Sequence, residues 1–187
     1  LYPGCGYGGS CFPKDIKALN HIAEKHNYKA KLLDAVDQVN EYQKDILFKK
    51  IKSYYGSNLK GMTISVWGIA FKPNTDDIRY APSINLIKKL ISAGVIIKAY
   101  DPIATLKGNY KFKPNMYKEC NNPLNTIKHS DALVICTEWK EFWSIDPLKL
   151  KKLLKSPVIF DGRNIYSPNV MKKAGITYIG IGSNNLD

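Results

Sequence analysis

Residues 4–15 read Gly-Cys-Gly-Tyr-Gly-Gly-Ser-Cys-Phe-Pro-Lys-Asp and set a thiol, an ammonium and a carboxylate directly after a run of glycines. Glycine is selected where the backbone must take positive φ or lie against a ligand, so Gly4, Gly6, Gly8 and Gly9 together describe a loop that hugs something. Pro13 suits the first turn of a helix, and Ile16, Leu19, Ile22 and Ala23 continue at helical spacing. Cys11 is therefore expected just outside a helix N-terminus, where free N–H groups and the positive end of the helix dipole favour a thiolate. Such a thiol is a nucleophile that needs no histidine beside it. Lys14 acts in the same direction, and Asp15 could orient a water or take a proton. Residue types alone leave two readings open for Cys11, a reactive thiol or a small buried core residue. They also leave two for Asp15, a catalytic carboxylate or an ordinary first-turn acid.

Gly4, Gly6 and Gly9 satisfy the letter of G-x-G-x-x-G, but only Leu1, Tyr2 and Pro3 come before them. The dinucleotide fingerprint needs a preceding strand, so that reading is rejected. A second loop, residues 68–79, carries Lys72, Asp76, Asp77 and Arg79, more charge than a connector needs. Arg163 follows Asp161 and Gly162 at an expected strand end. Its planar fork suits a phosphate or an array of sugar hydroxyls, with a surface ion pair as the alternative. His21 and His26 are five apart and match no metal-ligand spacing, so no metal site is expected.

Periodicity outlines the elements that must hold these groups. A first helix runs to about His26. Residues 30–55 contain no Gly or Pro and place Leu32, Val36, Val39, Ile46 and Leu47 near one face, which predicts one long helix closed by Gly56. At 1.5 Å per residue it would extend about 39 Å, longer than its neighbours can cover, and such a helix joins two domains or meets a second subunit. From Met62 onward short apolar runs alternate with helical segments. Strands are predicted over residues 62–67, 95–100, 132–137, 157–160 and 176–181, and helices over 83–93, 122–129, 147–155 and 168–173. This is an α/β pattern with a Rossmann-like, mostly parallel sheet in residues 59–187, preceded by an α-helical central segment in residues 1–58. Ligands of such sheets bind beyond the carboxyl ends of the strands.

With 187 residues and 44% hydrophobic content the chain can bury a full core, and its start at Leu inside a motif suggests part of a longer protein. No run of about eighteen apolar residues occurs, so no membrane association is expected. Cysteines 5, 11, 120 and 136 form no C-x-x-C pair, and Cys136 lies in an apolar run, which points to reduced thiols and a cytoplasmic setting. The net charge of +12 would attract phosphate in general. The lysines, however, spread along helices, as at 149, 151, 152 and 155, without interleaved aromatics, so nucleic acid is not an expected partner.

Residues 6–15 resemble the active-site cysteine motif of the UDP-glucose/GDP-mannose dehydrogenase family. Residues 68–79, Gly-Ile-Ala-Phe-Lys-Pro-Asn-Thr-Asp-Asp-Ile-Arg, resemble that family's Gly-x-x-Phe-Lys-x-x-Thr-Asp-Asp-x-Arg. Asn40 with Gln43 looks like its Asn-x-x-Gln signature, Tyr100-Asp101-Pro102 like its Tyr-Asp-Pro, and residues 131–139 and 161–166 follow in the same order. Tyr80 departs from the family, where a glutamate is usual.

The resemblance implies an NAD-dependent, four-electron oxidation of a nucleotide sugar, UDP-glucose to UDP-glucuronate foremost. Cys11 would attack the sugar aldehyde, pass through a thiohemiacetal and a thioester, and release a carboxylate with Asp15 positioning the water. Tyr2, Gly4, Gly6, Tyr7 and Gly8 would wrap the sugar diphosphate, and Phe71, Lys72 and Arg163 would contact the UDP-sugar. Cys11, Lys14 and Arg79 would face NAD held by another domain or subunit. The sheet here lacks a glycine fingerprint after Trp67, so it is expected to bind UDP rather than NAD. A homodimer through the long helix is implied, as is inactivity of this chain without the family's NAD-binding domain. The alternatives are dehydrogenases of UDP-N-acetylmannosamine, UDP-N-acetylglucosamine or GDP-mannose, and a nucleotide-sugar binding module without catalysis.

Overall fold

The computed structural model describes residues 3–182, so Tyr2 lies outside the described residues. Three helices come first, α1 (Phe12–Lys25), α2 (Lys31–Lys44) and α3 (Ile46–Tyr55). The alternating part follows: β1 (Thr63–Trp67), α4 (Pro82–Ser92), β2 (Ile96–Tyr100), β3 (Tyr117–Glu119), α5 (Pro123–Ile127), β4 (Ala132–Ile135), α6 (Lys140–Trp143), α7 (Pro147–Leu153), β5 (Val158–Asp161), α8 (Pro168–Ala174) and β6 (Thr177–Gly180). The strands form one sheet in the order β3-β2-β1-β4-β5-β6. Every neighbouring pair is parallel. Helices on both faces make continuous apolar runs necessary, and all four residues of both β4 and β5 are buried.

The two-residue period of the strands divides the core. Ile64, Val66, Val134 and Phe160 point to one face, where Leu86, Ile87 and Leu90 of α4 and Leu47 and Ile51 of α3 cover them, with Cys5 in the same cluster. Trp67, Leu133, Ile135 and Ile159 point to the other, under Phe142, Leu150 and Met171. Ser65, buried on that second face, is satisfied by the Thr126 carbonyl at 2.7 Å and the Ser130 hydroxyl at 2.8 Å.

The helix expected over residues 30–55 is two helices. At Asp45 the N–H turns to the Tyr42 carbonyl, a three-residue step at 3.1 Å. The Asp45 carboxylate is drawn across to α4, taking hydrogen bonds from Lys89 Nζ at 2.6 Å and Asn85 Nδ2 at 2.7 Å. α3 can then lie on the sheet, while Leu32 and Val39 of α2 stay 77% and 66% exposed. Helical periodicity does not register such a break, because Asp45 keeps right-handed helical dihedrals. β3 and α6 were not expected either. β3 is a three-residue edge strand, Tyr-Lys-Glu, with no apolar run, and α6 is a single turn. No helix among the described residues is long and apolar enough to cross a membrane.

Candidate functional site

The glycine loop is held from two sides. From below, α2 supplies two amides: Asn40 accepts from the Tyr7 N–H at 2.8 Å and donates to the Tyr7 carbonyl at 3.2 Å, while Gln43 donates to the Gly4 carbonyl at 2.6 Å. From the sheet side, the Gly9 N–H donates to the Arg79 carbonyl at 2.8 Å. A Cβ on Gly8 would stand 2.5 Å from the Tyr80 carbonyl oxygen, so only glycine permits the loop to lie this close to residues 79–81.

Beyond the loop, Cys11 is the N-cap of α1 and Pro13 stands in its first turn, as expected. The thiol caps nothing and is exposed, with the Ser10 hydroxyl 3.6 Å away. This decides against a buried core thiol at position 11, whereas Cys5 and Cys136 are both buried. Lys14 and Asp15 point outward and pair with each other at 3.1 Å.

The charged loop after β1 meets this edge. The Phe71 ring lies against Gly9, and the Lys72 ammonium hovers 5.5 Å from the centre of that ring. Arg79 grips Asp77 through two hydrogen bonds, 2.9 Å from Nε and 2.8 Å from Nη2, and this partner holds the Asp77 carboxyl below its usual range. The exposed guanidinium favours its charged form chiefly through Asp77, with Cys11 also within electrostatic reach.

Arg163 does pair with a carboxylate, that of Glu138, but it is held beneath the surface rather than on it. Its side chain is 16% exposed, with Nε donating to the Cys136 carbonyl at 2.8 Å and Nη2 to the Phe71 carbonyl at 3.2 Å. A Glu138 carboxylate oxygen lies 3.1 Å from Nε, too poorly aligned for a hydrogen bond. The arginine thus ties the ends of β4 and β5 to the loop after β1 and comes up against Gly4. Asp161 sets its place: buried at the end of β5, it accepts from the N–H groups of Arg163, Ile165 and Tyr166 and from the Tyr178 hydroxyl. Burial nevertheless raises its carboxyl above the usual range.

Gly4, Gly6, Tyr7 and Arg163 line one pocket of about 550 Å3, walled by Ala35, Val36, Val39, Asn40 and Gln43 of α2. The Tyr7 hydroxyl is buried without a partner among the described residues, and burial with Asp37 and Glu41 nearby raises its pKa. Gly8, Cys11, Lys14, Phe71, Lys72 and Arg79 do not line this pocket; they form the adjoining edge. Asp101, which stands where a dinucleotide fold would meet a ribose, is fully occupied. It accepts from the N–H groups of Ile69, Ala70, Ile103 and Ala104 and from Trp139 Nε1. The sequence singled out Asn40 and Gln43 only as a family signature, with no role at the site; in the structure they are two amides one helical turn apart on the flank that faces the glycines.

Comparison with known proteins shows the family. Residues 65–168 match the UDP-binding domain of the UDP-glucose/GDP-mannose dehydrogenase family, and residues 1–42 match its central domain. The chain belongs to that family. It is 40% identical over 188 residues to a UDP-glucose 6-dehydrogenase of Pseudomonas aeruginosa, covering 97% of this chain and 41% of that protein. It is 43% identical over 182 residues to UDP-glucose 6-dehydrogenase TuaD of Bacillus subtilis, covering 97% and 39%. The chain therefore spans about two fifths of the length of these relatives. Among solved structures, a UDP-glucose dehydrogenase from Pyrobaculum islandicum superposes with a TM-score of 0.77 at 28% identity, over 95% of this chain and 38% of that one. An NDP-N-acetyl-D-galactosaminuronic acid dehydrogenase from Methanosarcina mazei superposes at 0.83 with 25% identity, over 97% and 39%.

Proposed function

We propose that this chain supplies the nucleophilic cysteine and the UDP-binding half of an NAD-dependent nucleotide-sugar 6-dehydrogenase, with UDP-glucose as substrate. The observation that carries the reading is the junction of two parts distant in sequence. The loop leading to an exposed thiol at the N-terminus of α1 is seated on the carboxyl ends of β1 and β5, with Arg163 beneath Gly4. A diphosphate lying along residues 4–8 would meet the N–H groups of Gly6 and Gly8, which take no partner among the described residues, together with Arg163 and Lys72.

The Cys11 sulfur then bonds to carbon six of the sugar aldehyde, whose oxygen takes a proton, giving a thiohemiacetal. NAD bound by the remainder of the protein would accept one hydride as the alcohol at carbon six becomes the aldehyde and a second as the thiohemiacetal becomes a thioester on Cys11, with the hydroxyl proton passing to water each time. Water oriented by Asp15 adds to that carbon, the C–S bond breaks, and the carboxylate leaves as the thiol is restored. The sheet of this chain does not fit the dinucleotide: Gly68 packs directly against Thr137 and Asp101 is occupied. NAD is therefore assigned to the remainder of the protein, facing Cys11, Lys14 and Arg79 on the exposed edge. The exposed apolar residues Leu32 and Val39 of α2 are assigned to pairing with a second copy.

In the full-length protein, Cys11→Ser should lower uronate formation by on the order of a thousandfold or more, and unimpaired production removes the nucleophile assignment. The 187-residue chain alone should reduce no NAD with UDP-glucose; reduction by it would overturn the division of labour. The second reading is a dehydrogenase of an N-acetylated nucleotide sugar, supported by the likeness to the Methanosarcina mazei enzyme, and turnover across nucleotide sugars separates the two.

A further inference from the structure

We infer that Asn40 and Gln43 are positioning residues that divide the glycine loop into a half that aims the Cys11 thiol and a half that grips the nucleotide. The inference rests on the functional reading above and deepens it. A loop with four glycines in six residues has no intrinsic shape, because each glycine reaches both signs of φ at little cost. Something outside the loop must select one conformation. Asn40 is 4% exposed and meets both backbone polar groups of Tyr7, N–H at 2.8 Å and C=O at 3.2 Å, so the peptide units on either side of Tyr7 are both fixed. Gly6, at φ 101, packs against it: a Cβ there would stand 3.1 Å from the Asn40 oxygen and 3.0 Å from Lys44 Cγ. Tyr7 in turn sets its ring edge-on to Phe12, 4.7 Å between centroids, and Phe12 is the first residue of α1 beside the thiol. The route from Asn40 to Cys11 is thus Tyr7, Phe12 and the helix start.

Gln43 acts one turn further along α2. Its 2.6 Å hydrogen bond fixes the Gly4 carbonyl, and Gly4 is the point where the loop meets Arg163. Asn40 therefore governs the reacting end and Gln43 the anion-gripping end. Neither side chain has to touch the reacting atoms.

The test uses Asn40→Asp, which keeps an acceptor for the Tyr7 N–H and loses the donor, alongside Asn40→Ala and Gln43→Met, in the 187-residue chain and in the full-length protein. Iodoacetamide labelling resolved by peptide should change severalfold at Cys11 in Asn40→Ala, less in Asn40→Asp, and not in Gln43→Met. Cys136 should stay protected in all three. Hydrogen exchange of the Tyr7 amide should accelerate on loss of Asn40 alone. In the full-length protein Asn40→Ala should lower kcat about tenfold or more with a smaller change in KM, and Gln43→Met should raise KM with kcat nearly kept. Unchanged Cys11 labelling together with unchanged Tyr7 exchange overturns the inference. So does simultaneous labelling of Cys11 and Cys136, which would mean general loosening. Neither result depends on catalysis, so failure of the nucleophile assignment would be seen separately, in Cys11→Ser.

Discussion

Asp101 and Asp161 end two strands of the same sheet in the same way, each collecting N–H donors from the loop that follows its strand, yet they produce opposite results. Asp101, after β2, gathers five donors from three separate stretches and so closes the place where a dinucleotide's ribose would sit. Asp161, at the end of β5, gathers four, and one of them is the backbone of Arg163, whose guanidinium is thereby aimed at the glycine loop. A carboxylate at a strand end is therefore not evidence of a ligand. What distinguishes the two sites is whether the loop it shapes carries a group that faces outward.

The comparison breaks most easily at Asp101. Replacing it by Ala strands five N–H groups, and a loss of about 3–5 kcal/mol in urea denaturation is expected, with UDP affinity of the folded fraction kept. A loss below about 1 kcal/mol would mean that the carboxylate organises nothing. Asp161→Asn comes next. The amide retains one acceptor but presents N–H to the Arg163 N–H, so a loss of about 2 kcal/mol is expected, this time with weakened UDP binding because Arg163 is released. If UDP binding holds, the two carboxylates are equivalent and the contrast fails.

Arg163→Lys should leave the fold within about 1 kcal/mol yet weaken UDP binding about tenfold, since an ammonium cannot hold the Cys136 and Phe71 carbonyls and an anion at once. Calorimetric titration of UDP into the chain measures it.

The smallest effect is in pH dependence, where Asp161 and Asp45 have opposite signs. Burial raises the Asp161 carboxyl in the folded state, so its contribution is fully present below the unfolded value of about 3.9 and lost as pH rises through the folded one. For Asp45 burial acts the same way but is outweighed by the hydrogen bonds from Lys89 and Asn85, leaving the carboxyl below its usual value. Its contribution is present at neutral pH and lost as pH falls through the folded value. The deficit of Asp161→Asn should be larger at about pH 3 than at pH 7, and that of Asp45→Asn the reverse, each within about 1 kcal/mol. Denaturation at both pH values checks the pair.

Much of this was legible beforehand where the signal is local. Residues 62–67 and 132–137 are apolar runs that cannot face water, and Pro13 after Cys11 marks a helix start by its fixed φ. The break at Asp45 was not, because it depends on Lys89 and Asn85, forty and more positions away. Nor was the strand at residues 117–119, whose pairing comes from β2 and not from its own composition.

The amino-acid order alone determined that a thiol would stand at a helix start behind a pliable glycine loop, because proline and glycine act through their own backbones and Cys11 directly precedes the helix they mark. Tertiary structure alone decided that Asn40, Gln43 and Arg163 meet that loop while Asp101 turns inward. Those outcomes follow from which distant backbone groups the folded sheet brings within hydrogen-bond reach, and no run of neighbouring residues encodes that distance.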